Sequence, residues 1–338
     1  MRAVVVARYG TRLEVMDRPI PHPGPGEVLI HVRASGLCST DLHLLSGRMP
    51  LGELPRILGH EIAGEVAALG EGAAGLRVGE RVTVAVDVVC GSCRHCRTGN
   101  TQRCTSLRRI GFERDGGHAE YVAVPAANAI PLPAALHDEA AAILPDAVAC
   151  MYHSLVCQGR VGVGQRVLIL GVGGLGIHGV QIARLAGAEV LATSRRAERL
   201  RLAEQYGAIP VNPEARPLAE AVRDWTGGEG ADVVADNIGT RASVREGLEL
   251  LRPGGKLLVL AYLDEAFEVP SIPFFKAERE IIGCRGSSRQ DLVEVVRLAG
   301  AGRLVPVIGA RYPLEQIGAA AERLESGELV GRIVLTRP

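Results

Sequence analysis

Lysine is nearly missing from this chain: Lys256 and Lys276 are its two copies, and arginine supplies the rest of a basic total of 38 that an equal acidic total balances. Aromatic side chains are scarce too, at 3% with a single tryptophan. With the arginines dispersed and few rings on which bases could stack, the sequence lacks the electrostatic footprint of a protein that binds nucleic acid or an anionic membrane. Uninterrupted hydrophobic runs are lacking as well. Val167 to Ala183 is seventeen residues without Asp, Glu, Lys or Arg, but Gly171, Gly173, Gly174, Gly176 and Gly179 fall inside it. Such a run is short and costly as one membrane-spanning helix. The opening MRAVVVARYG has no charged n-region, apolar h-region or small-residue cleavage site of a secretory signal. The expectation is a cytoplasmic protein, in whose reducing surroundings the eight cysteines point to metal rather than to disulfides.

What the chain does have is two textures. A length of 338 residues with 47% hydrophobic content suggests two domains with sizeable cores. Up to about residue 135, short β-branched runs such as EVLIHVRASG, EIAGEVAAL and ERVTVAV are separated by Gly and Pro, which predicts a compact β-rich domain. From about 150, apolar strands (RVLILG, EVLATS, ADVVADNIG, KLLVLAYL, EIIGCRG) alternate with helical segments, which predicts an α/β fold with a doubly wound parallel sheet. After about 287, two amphipathic helices precede a last strand, GRIVLT.

The second texture opens with LILGVGGLGIHG, in which Gly171-x-Gly173-x-x-Gly176 follows a strand and begins a helix. In that setting the glycines permit a tight turn, close backbone approach to a pyrophosphate, and helix-to-sheet packing, with Gly174 and Leu175 completing the loop at the helix N-terminus. The next strand then sorts the coenzyme. An Asp or Glu at its end would hold the ribose hydroxyls of NAD, whereas Ser194, Arg195 and Arg196 stand there instead, with no acid before Glu198. This favours NADP(H) over NAD(H); the competing role for the arginines is a solvated helix start.

Cys90, Cys93, Cys96 and Cys104 follow a C-x2-C-x2-C-x7-C spacing. Four thiolates can close a tetrahedral zinc site with no open position, a brace rather than a reaction centre. A bacterial iron–sulfur run would continue with x3-C-P, and Cys104 arrives too late and is followed by Thr105. A nucleic-acid zinc ribbon would need basic and aromatic neighbours that the composition does not supply.

Several further stretches, taken in order, resemble one family. They are Cys38-x-Thr40-Asp41-x-His43, Gly59-His60-Glu61-x2-Gly64-x5-Gly70, the four-cysteine lobe with Gly99 inside it, GGHAEYVAVP, the Gly171 turn and GELVGRIVL. Across essentially its whole length the chain is similar to the zinc-dependent medium-chain alcohol dehydrogenases. The resemblance implies a GroES-like catalytic domain, residues 1–149 with 287–338, around an inserted Rossmann domain, residues 150–286, with substrate in the cleft between them. It implies two zinc ions per chain. Cys38, His60 and Asp146 match the ligands of a catalytic zinc, although many members carry Cys where Asp146 stands. Cys150, one turn on, is a competing ligand, and helix capping is a competing role for Asp146 after Pro145. Glu61 matches a carboxylate behind the metal that acts as an indirect or transient ligand. Thr40 and His43 match a proton relay, and Arg332 a contact to the coenzyme pyrophosphate.

The function this implies is hydride transfer between a small alcohol or carbonyl compound and NADP(H), in a homodimer or homotetramer. Two alternatives stand beside it, a NAD-linked polyol or aldehyde-forming dehydrogenase and a non-catalytic dinucleotide-binding sensor. Val86, Asp146 to Ala149, Tyr262 and Leu263 are candidates for a mostly apolar pocket wall, and Asp87 for a polar group near it. Cys150, Cys157 and Cys284 read as small buried hydrophobes. His118 stands where the resemblance implies an aromatic residue, and the sequence offers no role for it.

Overall fold

The computed structural model describes every residue except Tyr262, Asp264 and Pro338, so the pocket candidate Tyr262 lies outside the described residues. The chain divides into two compact units, Met1–Ala149 with Gly286–Pro338, and Cys150–Arg285.

The first unit is built on a seven-stranded sheet. Its path runs Ala129–Pro131, Arg81–Val84, Glu61–Leu69, Glu27–Leu37, Arg332–Thr336, Ile308–Pro313, and Tyr121–Pro125 also pairs with Glu27–Leu37. The long Glu27–Leu37 strand is the organiser, because Val28, Ile30 and Val32 alternate onto one face and meet Ile62, Val66, Val82 and Val124 in a buried cluster. Burial of each such β-branched side chain contributes about 1.5–3 kcal/mol. A second cluster gathers Leu37, Leu44, Leu58, Phe112, Ile317, Ile333 and Leu335 beside the short helix Ser39–Leu45. The last strand returns from the far end of the chain to pair antiparallel with Glu27–Leu37, setting Ile333 opposite Leu37 and Val334 opposite Gly36.

The second unit is a six-stranded, all-parallel sheet. In space the strands run Ile209–Val211, Glu189–Thr193, Arg166–Leu170, Ala231–Asp236, Leu251–Val259, Glu280–Gly283, which in chain order within the unit is 3-2-1-4-5-6. That is the doubly wound arrangement expected for alternating strands and helices. The glycine turn connects Arg166–Leu170 to the helix Gly176–Leu185. Gly171 takes φ +83°, and a Cβ on Gly176 would lie 2.2 Å from the Gly171 carbonyl oxygen, so both are needed for the turn itself. Gly173 has nothing within 4 Å of its Cβ position, which leaves that side of the loop open to a ligand.

Of the three cysteines expected to be buried, Cys150 and Cys284 are, but Cys157 is exposed: it falls on the outer side of the Leu155 turn while Leu155 faces inward. No helix among the described residues is long and apolar enough to cross a membrane.

Close approach of the strands Glu27–Leu37 and Glu61–Leu69 gives the first test. A Cβ on Gly64 would sit 2.2 Å from the His31 carbonyl oxygen, whereas one on Gly318, on an exposed helix face, would meet nothing within 4 Å. Gly64→Ala should destabilise by about 1–3 kcal/mol through overpacking, with Gly318→Ala neutral or mildly stabilising. Thermal melts of the two variants side by side check this, and equal melting temperatures would contradict it.

Candidate active site and metal centres

Two clusters of metal-type donors form in the first unit. Cys90, Cys93, Cys96 and Cys104 converge with all four Sγ atoms within 4.8 Å of one another. The lobe is closed at its base by the two-stranded pairing of Asp87–Val88 with Arg108–Arg109. Backbone amides point at the sulfurs: Cys90 N–H donates to Cys104 Sγ at 3.3 Å, Cys93 N–H to Cys90 Sγ at 3.4 Å and Ser106 N–H to Cys104 Sγ at 3.4 Å. Such donors stabilise thiolate: backbone hydrogen bonds at Cys96 and Thr105 bring the Cys93 thiol down to about 5, while burial and the neighbouring Cys93 sulfur push Cys96 up to about 12. Sulfur pairs lie 3.5 Å (Cys93–Cys96) and 3.6 Å (Cys90–Cys104) apart, close to the ~3.8 Å edge that Zn–S bonds of about 2.3 Å would give a tetrahedron. The donor set therefore fits a zinc brace.

In the second cluster the donors come from three separate segments. Cys38 caps the helix Ser39–Leu45, its Sγ accepting from Thr40 N at 3.4 Å while its own N–H donates to Asp41 Oδ2 at 2.9 Å. His60 immediately precedes the strand Glu61–Leu69 and is 3% exposed. Asp146 sits in the widened π-type turn Leu144–Val148, so it does not cap a helix. Such turns are common at functional sites. Asp146 Oδ2 lies 3.6 Å from His60 Nε2 and 3.7 Å from Cys38 Sγ. These are ligand–ligand separations of about the size a four-coordinate zinc imposes. Cys150 is not among the converging donors.

The electrostatics of this cluster supports a cation. Burial alone would lower the His60 imidazole, but Asp41, Asp146 and Cys38 outweigh it and raise it well above the ordinary value. Anionic groups thus hold positive charge at the point where a metal would supply it. Asp146 is pushed up by burial but, with His60 and Arg332 against it, ends below its usual value.

Two further residues matched to this site form an ion pair beside it. Glu61 does not converge with the three donors; its Oε1 accepts from Ala147 N at 3.1 Å and from Arg332 Nε at 2.9 Å. Arg332, matched to the coenzyme pyrophosphate, is 4% exposed. Its Nη2 reaches Glu61 Oε1 at 2.5 Å and Asp146 Oδ2 at 2.8 Å. The guanidinium pairs with buried Glu61 behind the donors and with half-buried Asp146 among them, a fixed positive partner for both carboxylates. Gly36 makes room: a Cβ there would stand 1.8 Å from Glu61 Oε2.

Thr40 and His43, three residues apart on one helix, share a face and are half-buried. Burial lowers the His43 imidazole, with Arg48 adding to the effect. In the second unit, Ser194 lies just past the strand Glu189–Thr193, its Oγ accepting from Arg196 N at 3.1 Å, while Arg195 and Arg196 are exposed. The Gly174 carbonyl lies 2.8 Å from His178 Nδ1, which must carry the proton there.

Comparison with known proteins agrees with the fold. Residues 24–134 match the alcohol dehydrogenase GroES-like domain, and residues 174–301 the zinc-binding dehydrogenase domain. L-galactonate-5-dehydrogenase of Escherichia coli (strain K12) is 31% identical over 336 residues, 98% of each chain. A crystal structure of a NAD-dependent alcohol dehydrogenase superposes with a TM-score of 0.94 at 33% identity, covering 100% of both chains. A candidate zinc-binding dehydrogenase from Sinorhizobium meliloti 1021, bound to NADP, gives 0.90 at 32% identity over 99% of each. All three are named as dehydrogenases. This chain belongs to the zinc-dependent medium-chain dehydrogenase/reductase family.

Asp146 is the donor that the sequence alone left open, and its removal tests the site. The unaltered protein is expected to hold two zinc ions per chain and Asp146→Ala one, the four-cysteine zinc being retained. Metal analysis after gel filtration reads this directly; two zincs in the variant would show that another group serves.

Proposed function

We propose that this protein is a zinc alcohol dehydrogenase or carbonyl reductase that prefers NADP(H) and takes small, largely apolar alcohols. The convergence of Cys38, His60 and Asp146 beside the helix that carries Thr40 and His43 is the observation that bears most weight. Three protein donors of thiolate, imidazole and carboxylate leave a fourth position for a substrate oxygen. Zinc held there would supply Lewis acidity that lowers the pKa of an alcohol, and the nicotinamide would accept the hydride.

The chain's own residues manage the proton. Thr40 hydroxyl accepts from the alcohol O–H and passes its own proton on, and His43, as the neutral imidazole, takes it up near the surface. Cys38 and Asp146 keep two anionic charges fixed beside the reacting oxygen, and Arg332 behind them limits the repulsion. Val86, half-buried, offers hydrocarbon to the substrate, whereas Ala147 to Ala149, also candidates from the sequence, are fully buried and do not. Edge strand Glu280–Gly283 of the parallel sheet is the surface we assign to pairing in a homodimer or tetramer.

Coenzyme choice rests on the absence of a carboxylate after Glu189–Thr193 and on the exposed Arg195 and Arg196, in line with the NADP-bound relative. A second reading, a NAD-linked polyol dehydrogenase, draws on the galactonate and NAD-dependent relatives. Initial rates on linear, branched, cyclic, benzylic and polyol alcohols with each coenzyme separate the two. NADP⁺ with an apolar alcohol should give the highest kcat/KM. Replacing Arg195 and Arg196 together by Ala should raise KM for NADP⁺ about 10–100-fold, the worth of charge-assisted bonds to a phosphate, and leave KM for NAD⁺ within about threefold. Higher kcat/KM with NAD⁺ in the unaltered enzyme would decide for the second reading.

His43 sets a pH signature. Because its imidazole titrates below the ordinary 6.5, the neutral base is present above that lowered value and is lost as pH falls through it. The acid limb of kcat/KM for alcohol oxidation should lie below pH 6.5, and His43→Ala should remove that limb and lower kcat/KM by about 10²-fold. A limb that survives in the variant belongs to another group.

A further inference from the structure

His118 is fully buried, belongs to no donor cluster and has no part in the mechanism above. Its Nε2 lies 3.5 Å from Asp41 Oδ2, and the other oxygen, Asp41 Oδ1, lies 3.5 Å from Nδ1 of His60. One buried carboxylate is therefore shared by two buried imidazoles, one of them a zinc-type donor. Among the described residues, His60 Nδ1, Asp41 Oδ1 and His118 Nε2 make no hydrogen bond, which leaves the 3.5 Å approaches through Asp41 as the polar contacts these buried atoms face.

The far side of the His118 ring is anchored. Nδ1 lies 2.9 Å from Ser35 Oγ, and Ser35 Oγ accepts from Arg337 Nη2 at 3.3 Å. Arg337 Nη2 also donates to the Gly117 carbonyl at 2.7 Å. The ring rests against Gly59, where φ is +98° and a Cβ would stand 2.5 Å from the His118 backbone N and 2.6 Å from its Nδ1, so a side chain just before His60 would crowd this segment. Backbone bonds lock the two segments together: His118 N donates to Leu58 O at 2.9 Å and Gly117 N to Gly59 O at 2.8 Å.

Donor and acceptor rules give this chain one consistent direction. Asp41 can only accept, so His118 faces it with Nε2–H and His60 with Nδ1–H. His118 Nδ1 is then an acceptor for the Ser35 hydroxyl hydrogen, and His60 Nε2, facing Cys38 and Asp146, is the nitrogen that would give its lone pair to a metal.

We propose that His118 is a positioning residue for the catalytic metal: it holds Asp41 from the side opposite His60 and through Asp41 fixes the ring orientation and tautomer of His60. The proposal rests on Cys38, His60 and Asp146 being metal ligands. Partners one step behind a ligating histidine commonly change metal affinity by 10–100-fold when lost. Phenylalanine at 118 keeps a ring and removes both nitrogens; glutamine can place an N–H near Nε2, and asparagine near Nδ1.

The test is zinc release from fully loaded protein to a colorimetric chelator, with the four-cysteine zinc as internal control in the same chain. In the unaltered protein one slow and one chelator-accessible zinc are expected. His118→Phe and His118→Asn should release the accessible zinc about 10–100-fold faster, with the four-cysteine zinc unchanged, and His118→Gln should recover most of the loss. After cobalt substitution, the visible ligand-field bands of the Cys38 site should shift in the Phe and Asn variants and return in the Gln variant. Unaltered release in all three variants would overturn the proposal while leaving the metal reading intact. Equal acceleration in Phe and Gln, or parallel loss of both zincs, would reduce His118 to packing and overturn it too. Only one zinc in the unaltered protein, held by the four cysteines, would remove the metal reading and the proposal together. If the Phe variant does not fold, the Asn and Gln pair carries the same comparison.

Discussion

The unit that holds both donor clusters depends on one buried ion pair drawn across almost the whole chain. Arg332 and Glu61 are 271 residues apart in sequence, and Arg332 Nε reaches the two oxygens of Glu61 at 2.9 and 3.1 Å. A pair of this kind adds little net stability, since desolvation of both charges offsets most of their attraction. Losing one partner is another matter, because it strands a buried charge at a cost of about 3–5 kcal/mol. The pair therefore acts as a constraint: once Glu61 is placed beside His60, the last strand has to return to Glu27–Leu37 with Arg332 in register. The same guanidinium then reaches Asp146, so closing the sheet and orienting a metal donor are a single event.

Legibility in the sequence follows the distance between partners. The glycine turn and the four-cysteine lobe were readable from spacing because each is local, with every necessary residue within about one turn or one loop. Strand and helix alternation likewise announced the parallel sheet. Cys38, His60 and Asp146 carry no shared spacing, and only likeness to a known family joined them. Likeness matched Arg332 to the pyrophosphate and Glu61 to an indirect or transient ligand behind the metal, but the ion pair between the two was not legible, since residue type and position cannot show a partner 271 residues away.

The largest gap was behind His60. Asp41 was visible in the Cys38-x-Thr40-Asp41-x-His43 run, and its spacing from Cys38 is that of a capping pair, which the structure forms. Its second task could not be read. That task needs His118, seen in the sequence as a departure from an aromatic position. A buried Asp is tolerated if something positive or donating meets each oxygen. Here burial pushes the Asp41 carboxyl up, but His60 and His118 outweigh it and hold it well below the usual carboxylate range. An aromatic hydrocarbon at 118 would leave Asp41 with one imidazole where this chain supplies two.

The two metal centres differ in what their integrity requires. Four cysteines in one lobe, with amide donors from the lobe's own backbone, need little beyond the pairing of Asp87–Val88 with Arg108–Arg109. The other centre takes a donor from a helix cap, one from the start of a strand and one from a widened turn, each held by groups from further segments. Local wiring suits a brace, which has only to persist. Dispersed wiring suits a reacting centre, because each donor can be adjusted through its own support, Asp41 for His60 and Arg332 for Asp146, without moving the rest. The cost is that the centre exists only when the sheet is in register, so a change such as a side chain at Gly36, which would displace Glu61, reaches the chemistry without touching a ligand.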